Sequence, residues 1–462
     1  MTRINRPQGL EYKSMKVSKF AWLAAAAIGM SSGAAQAQQY GTYSGVYQTK
    51  YQGQGQNAVA QVSCNEPSCE APACGCTEPA CGCEAACEPA CGLEDACDTS
   101  CCDTGCDSMG LGLNLNPGQC CLGDPFKLFD DIGGFNIGGW TQFGYHSNNG
   151  AARFNQHADR FNLHQGWLYA EDAIDTSCGF DIGGRVDYLY GVDAQDTQAF
   201  GIANNHWDNQ WDNGIYGHAL PQAYVEMGYG DLSVKVGKFF TLIGYEVVAA
   251  TGNFFYSHAY TMYNSEPFTH TGALATYKMS DDITVYGGYT LGWDSGFEDN
   301  GDSFLGGLSL QLTDDINVTY ATVLGRFNER FFGAAERGYM QSIVVNTSLT
   351  DKTSYIFQTD YLDTEVAGGI QARDTFGINQ YLIHQLNDCW ALGGRFEWYN
   401  VDTAGNNIDL YNLTTGVNYR PHANILVRPE IRWDWDKNGD AGVNENGNAS
   451  QATFGIDTIF TF

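Results

Sequence analysis

The sequence predicts an all-β fold: a transmembrane, antiparallel, up-and-down β-barrel of about 16 strands, preceded by a signal peptide and a Cys-rich periplasmic extension. Three observations carry the prediction. From residue 135 to the end, apolar and polar residues alternate with a period of two. Gly (56), Tyr (27), Phe (25) and Trp (10) are plentiful while Pro (11) is scarce, which favours strands over helices. The N-terminus reads as an export signal, and no later apolar run is long enough for a membrane helix.

The chain divides in order. Residues 1–37 read as the signal peptide, with Met15 as an alternative start. Lys16 and Lys19 precede an apolar run from Phe20 to Met30, and Ala-Gln-Ala ends at Ala37. Residues 38–63 are a Gln-, Gly- and Tyr-rich linker. Residues 64–121 form the Cys-rich extension, 122–134 a second linker, and 135–462 the barrel. The net charge of −30 argues against a nucleic-acid partner.

The extension holds fourteen of the sixteen cysteines: Cys64, Cys69, Cys74, Cys76, Cys81, Cys83, Cys87, Cys91, Cys97, Cys101, Cys102, Cys106, Cys120 and Cys121. Export favours disulfides, so all fourteen are disulfide candidates. One reading is a tether, cross-linked to itself or to envelope proteins. The other is a zinc or iron–sulfur module. No histidine lies between Gln38 and His146 and no C-x2-C unit occurs in the stretch, which counts against the metal.

Strand segments are expected near 136–146, 161–172, 178–191, 221–229, 232–240, 270–279, 283–293, 303–312, 316–324, 341–349, 353–363, 374–386, 390–401, 408–419, 424–435 and 451–462. In "ILVRPEIRWDW", Ile425, Val427, Pro429, Ile431, Trp433 and Trp435 share one face, and Arg428, Glu430, Arg432 and Asp434 the other. Short connections such as "GD" (230–231) and "TDK" (350–352) alternate with longer ones at 192–220, 241–269, 325–340 and 436–450. That alternation suits a meander with tight turns at one rim.

A soluble sandwich also alternates. Here, however, strand ends carry Tyr145, Tyr188, Trp293, Trp398 and Trp433, as an aromatic girdle does. Mid-strand charges (Arg185, Asp187, Arg395, Glu397) suit a wet lumen better than a dry core. The last strand puts Phe454, Ile456, Phe460 and Phe462 on one face, resembling the signal read by the barrel-assembly machinery. An even strand count places both termini in the periplasm with the short turns.

The blocks "DIGGRVDYLYGVDA" (181–194), "LPQAYVEMGYGDLSVKVGKFFTLIGYEVVAATGNFFYSHAYTM" (220–262), "SEPFTHTGALATYKMSDDITVYGGYTLGWDSGF" (265–297) and "RPEIRWDW" (428–435) resemble the OmpL-like β-barrel porin family of bacterial outer membranes. The likeness covers roughly residues 135–462 and leaves out the Cys-rich stretch. It implies passive transport through a water-filled channel.

The expected function is diffusion of small polar solutes or ions, with the lipid bilayer and the assembly machinery as further partners. A homotrimer stays open, as does a structural or adhesive anchor cross-linked through the Cys-rich segment. The candidate pore lining is Arg185, Asp187, Glu226, Lys235, Glu246, Glu266, Arg395, Glu397, Arg428, Glu430 and Arg432. The connection over 241–270 is the candidate constriction, because Val247, Val248, Phe254 and Phe255 would be out of place on a solvated tip. A packed outer loop or a trimer latch is the alternative. If the connection folds inward, Glu246 and Glu266 would oppose the Arg428–Arg432 ladder across the lumen; otherwise the ladder only pairs within itself. Acid excess predicts a cation preference.

No cofactor is expected. "DWDKNGDAGVNE" matches a calcium-loop pattern at Asp434, Asp436, Asn438, Asp440 and Glu445, but between strands rather than helices. His164, His218, His258 and His270 show no nucleophile–base spacing, so no enzyme is expected.

Overall fold

The computed structural model describes residues 120, 122–149, 153–298, 301–329, 335–403, 406–439, 443–444 and 447–462. The signal peptide, the first linker, the Cys-rich extension except Cys120, and the calcium-pattern residues Asp440 and Glu445 lie outside them.

Sixteen long strands form a closed antiparallel barrel. They are β1 (Asn136–His146), β2 (Asn162–Asp172), β3 (Phe180–Gly191), β6 (Ala223–Tyr229), β7 (Leu232–Phe240), β8 (Thr269–Lys278), β9 (Ile283–Trp293), β10 (Asp302–Thr313), β11 (Ile316–Glu329), β12 (Ala335–Thr350), β13 (Thr353–Val366), β14 (Ile370–Gln385), β15 (Trp390–Thr403), β16 (Asn406–His422), β17 (Ile425–Asp436) and β18 (Ser450–Thr461). Each pairs with its neighbour in sequence, and β1 pairs with β18 to close the ring, from Trp140↔Thr461 to His146↔Gly455. Closure leaves no sheet edge, which a bilayer would penalise. Two short strands, β4 (Asp212–Asn213) and β5 (Tyr216–Ala219), form a hairpin between β3 and β6. There β5 extends the sheet beside the end of β3, with Leu189↔Ala219.

The alternation sorts side chains as the pattern predicts, but inside out relative to a soluble protein. On β17, Arg428, Glu430, Arg432 and Asp434 are buried, while Ile431 is 58% and Trp433 53% exposed. Phe143, Leu168, Val186, Val225, Val236, Phe304 and Leu413 extend the exposed apolar belt around the outside. Lipid satisfies that belt, and the polar face turns to the lumen. Phe454 and Phe460 are exposed on the outward face of β18, which they share with Ile456 and Phe462.

Two expectations are corrected. The segment 325–340 is mostly strand: β11 runs to Glu329 and β12 starts at Ala335, with Glu329↔Ala335 paired. Its charges break the apolar pattern because the strands project beyond the bilayer, and Glu336 is taken up by Arg373 at 2.8 Å. Trp293 is not a girdle residue. Gly292, at φ +93, turns it inward, where it is fully buried against Phe327 and under the Arg373 guanidinium.

Apolar residues also pack inside the barrel. One cluster joins Trp140, Trp167, Leu189 and Ile459 of the wall to Val248, Met262 and Phe268. A second covers the wall from β7 to β13, with Leu274, Leu305, Val323, Met340 and Leu362 around Ile243. A third holds Phe254 and Phe255 against Ile356, Tyr381 and Ile383. In each cluster the partner of the wall is the connection between β7 and β8, residues 241–268.

Candidate pore constriction

Residues 241–268 leave β7 and fold back inside the barrel, ending in a short helix, α1 (Tyr260–Ser265), before β8. A chain with little regular structure must find partners for every buried N–H and C=O. This one finds them on the wall of charged residues. The wall carboxylates accept from its N–H groups: Glu430 from Tyr256 (2.9 Å) and Ser257 (3.1 Å), and Glu397 from Tyr260 (2.8 Å) and Thr261 (2.7 Å). The wall arginines donate to its carbonyls: Arg428 to Ala250 (3.0 Å) and Asn253 (2.7 Å), Arg395 to Ser257 (2.7 Å), Arg373 to Asn264 (3.1 Å), and Arg432 to His258. The alternating Arg/Glu ladder therefore complements a peptide backbone, donor against acceptor.

Further bonds of the ladder go to its own strands, while Arg395 Nε and Arg432 Nη2 stay without a hydrogen-bond partner among the described residues. Arg428 holds Asp457 through two bonds of 2.9 and 2.5 Å, and Arg432 donates to both Asp434 oxygens at 2.8 and 2.9 Å. Arg432 also lies over the Tyr260 ring, and Arg395 over Phe255. Glu246 does not oppose the ladder across a gap. It touches it, 2.6 Å from Arg395, and accepts from the Tyr381 hydroxyl at 3.0 Å and the Ala259 N–H at 2.8 Å. Burial would push the Glu246 carboxyl up, but Arg395 and His258 beside it hold it well below the usual carboxylate range. Glu266 accepts from Gln358 at 2.7 Å, and burial together with the Asp360 carboxylate pushes it well above that range.

Inward glycines provide the space. A Cβ on Gly393 would lie 2.3 Å from the Phe254 ring, one on Gly377 2.4 Å from Thr261, and one on Gly144 2.6 Å from the Tyr256 hydroxyl. Gly416 and Gly455 meet Phe255 and Tyr256 in the same way, at 3.3 and 3.0 Å. The loop thus sits in a trough of missing side chains on β1, β14, β15, β16 and β18. At its entry Gly244 takes φ +85, and a Cβ there would meet Glu266 at 1.9 Å. Only glycine fits both demands.

Tyr256 also joins two histidines. Its hydroxyl lies 2.6 Å from His164 Nε2 and 3.2 Å from His146 Nδ1, and His164 Nδ1 lies 2.9 Å from Asp193. Asp193 only accepts, so His164 holds a proton on Nδ1. A cavity of ≈ 10 Å³ remains beside these groups, lined by His146, Asn155, Tyr256, Glu430 and Arg432.

The other predicted lining residues form a separate group on β3, β6 and β7, joined by Glu171 of β2, which the sequence reading missed. Arg185 bonds Asp187 (2.6 Å) and Glu171 (3.0 Å) and covers the Tyr169 ring. Lys235 lies 3.9 Å from Glu226 and over the Tyr224 ring. Arg185, Glu171, Glu226 and Lys235 keep partial exposure. The sequence reading missed Gln165, Gln358 and Tyr381, which bind the loop, Thr261 within the loop, which binds Glu397, and the glycine trough. The trough had a signal: glycines at inward positions of otherwise regular strands.

Asp434, first in the calcium pattern, is engaged by Arg432 and by the Tyr260 hydroxyl at 2.8 Å, and Asp436 caps the following turn through the Asn438 and Gly439 N–H groups. Both carboxylates follow strand alternation, pointing in, rather than wrapping a loop. No group of three or more His, Cys, Asp or Glu placed to hold a metal occurs among the described residues. Cys120 forms a disulfide with Cys389 in the short β14–β15 turn, 269 residues away in sequence. Cys178, in the β2–β3 turn, is also disulfide-bonded.

Comparison with known proteins places this geometry. The family described as "Putative beta-barrel porin-2, OmpL-like" matches residues 134–462. No curated relative matches. Among solved structures, the trimer form of OmpT, an outer membrane protein of Vibrio cholerae, is similar with a TM-score of 0.52 at 12% identity, covering 71% of this chain and 99% of that one. An anion-selective porin from Comamonas acidovorans has a TM-score of 0.50 at 10% identity, covering 71% and 99%. Salmonella typhi OmpF, in complex with daunomycin, has a TM-score of 0.50 at 12% identity, covering 71% and 97%. At such identities the likeness is one of fold, and the family match carries the rest. The chain belongs to the OmpL-like β-barrel porin family, and it is an outer-membrane channel protein rather than an enzyme.

Proposed function

We propose that residues 241–268 set the bore of this porin, and that small polar solutes or ions pass beside them by diffusion. The observation that carries the reading is the fit of the Arg395–Glu397–Arg428–Glu430–Arg432 wall to the loop backbone. A loop held by so many charge-assisted bonds is a fixed part of the channel rather than a mobile flap. Because the arginines are spent on the loop and on Asp434 and Asp457, they contribute little free positive field. The partly exposed Glu171, Glu226, Arg185 and Lys235 then face the solute path, and the acid excess gives a weak cation preference.

In this reading the short-turn rim, with Cys120–Cys389 and both ends of the barrel, faces the periplasm. Residues 1–37 are the export signal, and the segment 64–121 is a periplasmic tether whose Cys120 is bonded to the barrel rim at Cys389. The OmpT structure is described as a trimer, and we extend self-association to this chain. The test is conductance of full-length protein in planar bilayers. Stepwise openings with a reversal potential on the cation side are expected. A reconstituted, folded barrel that passes no current would defeat the reading and leave the envelope-anchor alternative.

A further inference from the structure

Cys178 and Cys389 are the only cysteines in the barrel sequence, and the other fourteen lie in residues 64–121. Both barrel cysteines are disulfide-bonded, and Cys389 is taken by Cys120. Cys178 therefore has no barrel cysteine left to bond. It stands exposed at the end of the short Thr176–Cys178 turn between β2 and β3. Within this chain, its partner is one of the thirteen extension cysteines other than Cys120.

The two barrel cysteines share a rim but not a side of it. β1 starts where β2 ends, with Asn136↔Glu171 paired, so the Cys178 turn opens on the rim from which the barrel begins. Residues after Cys120 trace that rim from the β14–β15 turn toward β1. The Leu122 carbonyl accepts from the Ala423 N–H at 2.8 Å, Phe126 is bonded to Asn424, and the Phe129 ring meets Phe462. Strands about 4.8 Å apart and tilted about 40° step about 6 Å along a rim. The β14–β15 and β2–β3 turns lie six strands apart by the shorter way round. In a ring of this size that is roughly 30 Å in a straight line.

This distance sorts the candidates. The Cys120 Cα lies 5.6 Å from that of Cys389. The next Cα is about 3.8 Å further and a second disulfide spans about 6 Å, so Cys121 reaches only about 15 Å from Cys389. Cys106 stands fourteen residues before Cys120, and that length of chain extends to about 48 Å. Every extension cysteine at or before Cys106 has the reach, and Cys121 does not.

We infer that Cys178 is a second anchor for the Cys-rich extension, bonded to a cysteine between Cys64 and Cys106 of the same chain. Together with Cys120–Cys389 it ties the extension to the periplasmic rim at two well-separated points. Two of the fourteen extension cysteines are then used, and the remaining twelve can pair among themselves with none left over for an envelope partner. Each bond joins two thiols with loss of two protons and two electrons, and a protein disulfide of the exported compartment accepts them. The inference rests on the tether reading of residues 64–121 and not on the channel reading.

The experiment is disulfide mapping of the full-length protein that runs as a monomer on a non-reducing gel. Free thiols are alkylated at acid pH, and the chain is cut before each aspartate without reductant. The digest places Cys178 on 175–180, Cys389 on 388–401, Cys120 and Cys121 on 107–123, and Cys106 on 103–106. The expected products are 107–123 linked to 388–401, and 175–180 linked to a peptide that ends at or before residue 106. A digest that keeps the first link but shows Cys178 alkylated or joined to 107–123 overturns this inference alone. So does a Cys178 found only in a disulfide-linked oligomer. Loss of the first link overturns the tether reading with it.

A second measurement uses trypsin. No lysine or arginine lies between Lys50 and Lys127, and Lys127 is exposed. Cleavage there cuts the backbone and leaves 51–127 held by disulfides only. That fragment should stay on the barrel in wild type, in Cys178→Ser and in Cys389→Ser, and leave in the double variant. Release from Cys389→Ser alone overturns the second anchor. Heat-modified gel mobility verifies that each variant barrel is folded, and the wild-type map decides the matter if one is not.

Discussion

The Arg395 guanidinium and the Glu246 carboxylate stand 2.6 Å apart, both buried, where the inner loop meets β15. One residue comes from the wall and the other from the loop, so the pair measures whether the loop is seated. Glu246→Ala leaves Arg395 charged and without its carboxylate. The expected cost is about 3–5 kcal/mol of loop docking, seen as larger and noisier single-channel conductance. Replacing both partners, as Glu246→Met/Arg395→Met, should recover much of the loss, and a double-mutant cycle on thermal unfolding would read the coupling.

Glu266 gives a pH dependence of known sign. Its folded carboxyl titrates above the usual range, because burial and Asp360 disfavour its charge. The contribution to stability is therefore complete below the ordinary carboxylate pKa and is lost as pH rises through the raised folded value. Thermal stability should fall from mildly acidic toward alkaline pH. Glu266→Gln, which keeps the shape without the charge, should flatten that slope and raise the melting temperature at neutral pH. A slope unchanged in the variant would assign the pH dependence elsewhere.

The glycine trough predicts a position-specific effect of small substitutions. Gly393→Ala places a methyl 2.3 Å from the Phe254 ring, so the loop must lift or the strand must bend. About 1–3 kcal/mol of destabilisation is expected from such overpacking. Gly394→Ala, next along the strand and with open space around its Cβ, is the matched control and should be near neutral. Conductance of the two variants separates loop displacement from general loss of stability.

The Cys120–Cys389 bond ties the segment before β1 to a turn near the other end of the barrel sequence. The same segment is held by Asn424, which accepts from the Phe126 N–H at 2.6 Å and donates to its carbonyl at 2.8 Å. Cys389→Ala and Cys120→Ala should each release residues 120–135 to limited proteolysis and cost about 2–4 kcal/mol. The double variant should cost no more than either alone.

The barrel was legible because strand alternation is a local property. Ile431 and Trp433 against Arg432 and Asp434 declare two faces from four consecutive residues, and repetition of that pattern along the chain requires a closed sheet with lipid outside. The sixteen strands came out at the expected places for this reason. The extension of β11 and β12 did not, since charged strand ends beyond the bilayer read as loop.

The sequence by itself determined the strand count, the faces and the family, and marked the 241–270 connection as a candidate for the lumen without deciding between that and an outer loop. Only the tertiary structure decided what the lumen charges do. Arg428, Glu430 and Arg432 read equally well as a free field or as a self-paired ladder. Their partners are main-chain groups of residues 250–258, far away in sequence, and backbone N–H and C=O groups are identical at every position. No pattern of side chains can announce such a contact. It exists only once the barrel closes and brings the wall of β15–β18 around the loop.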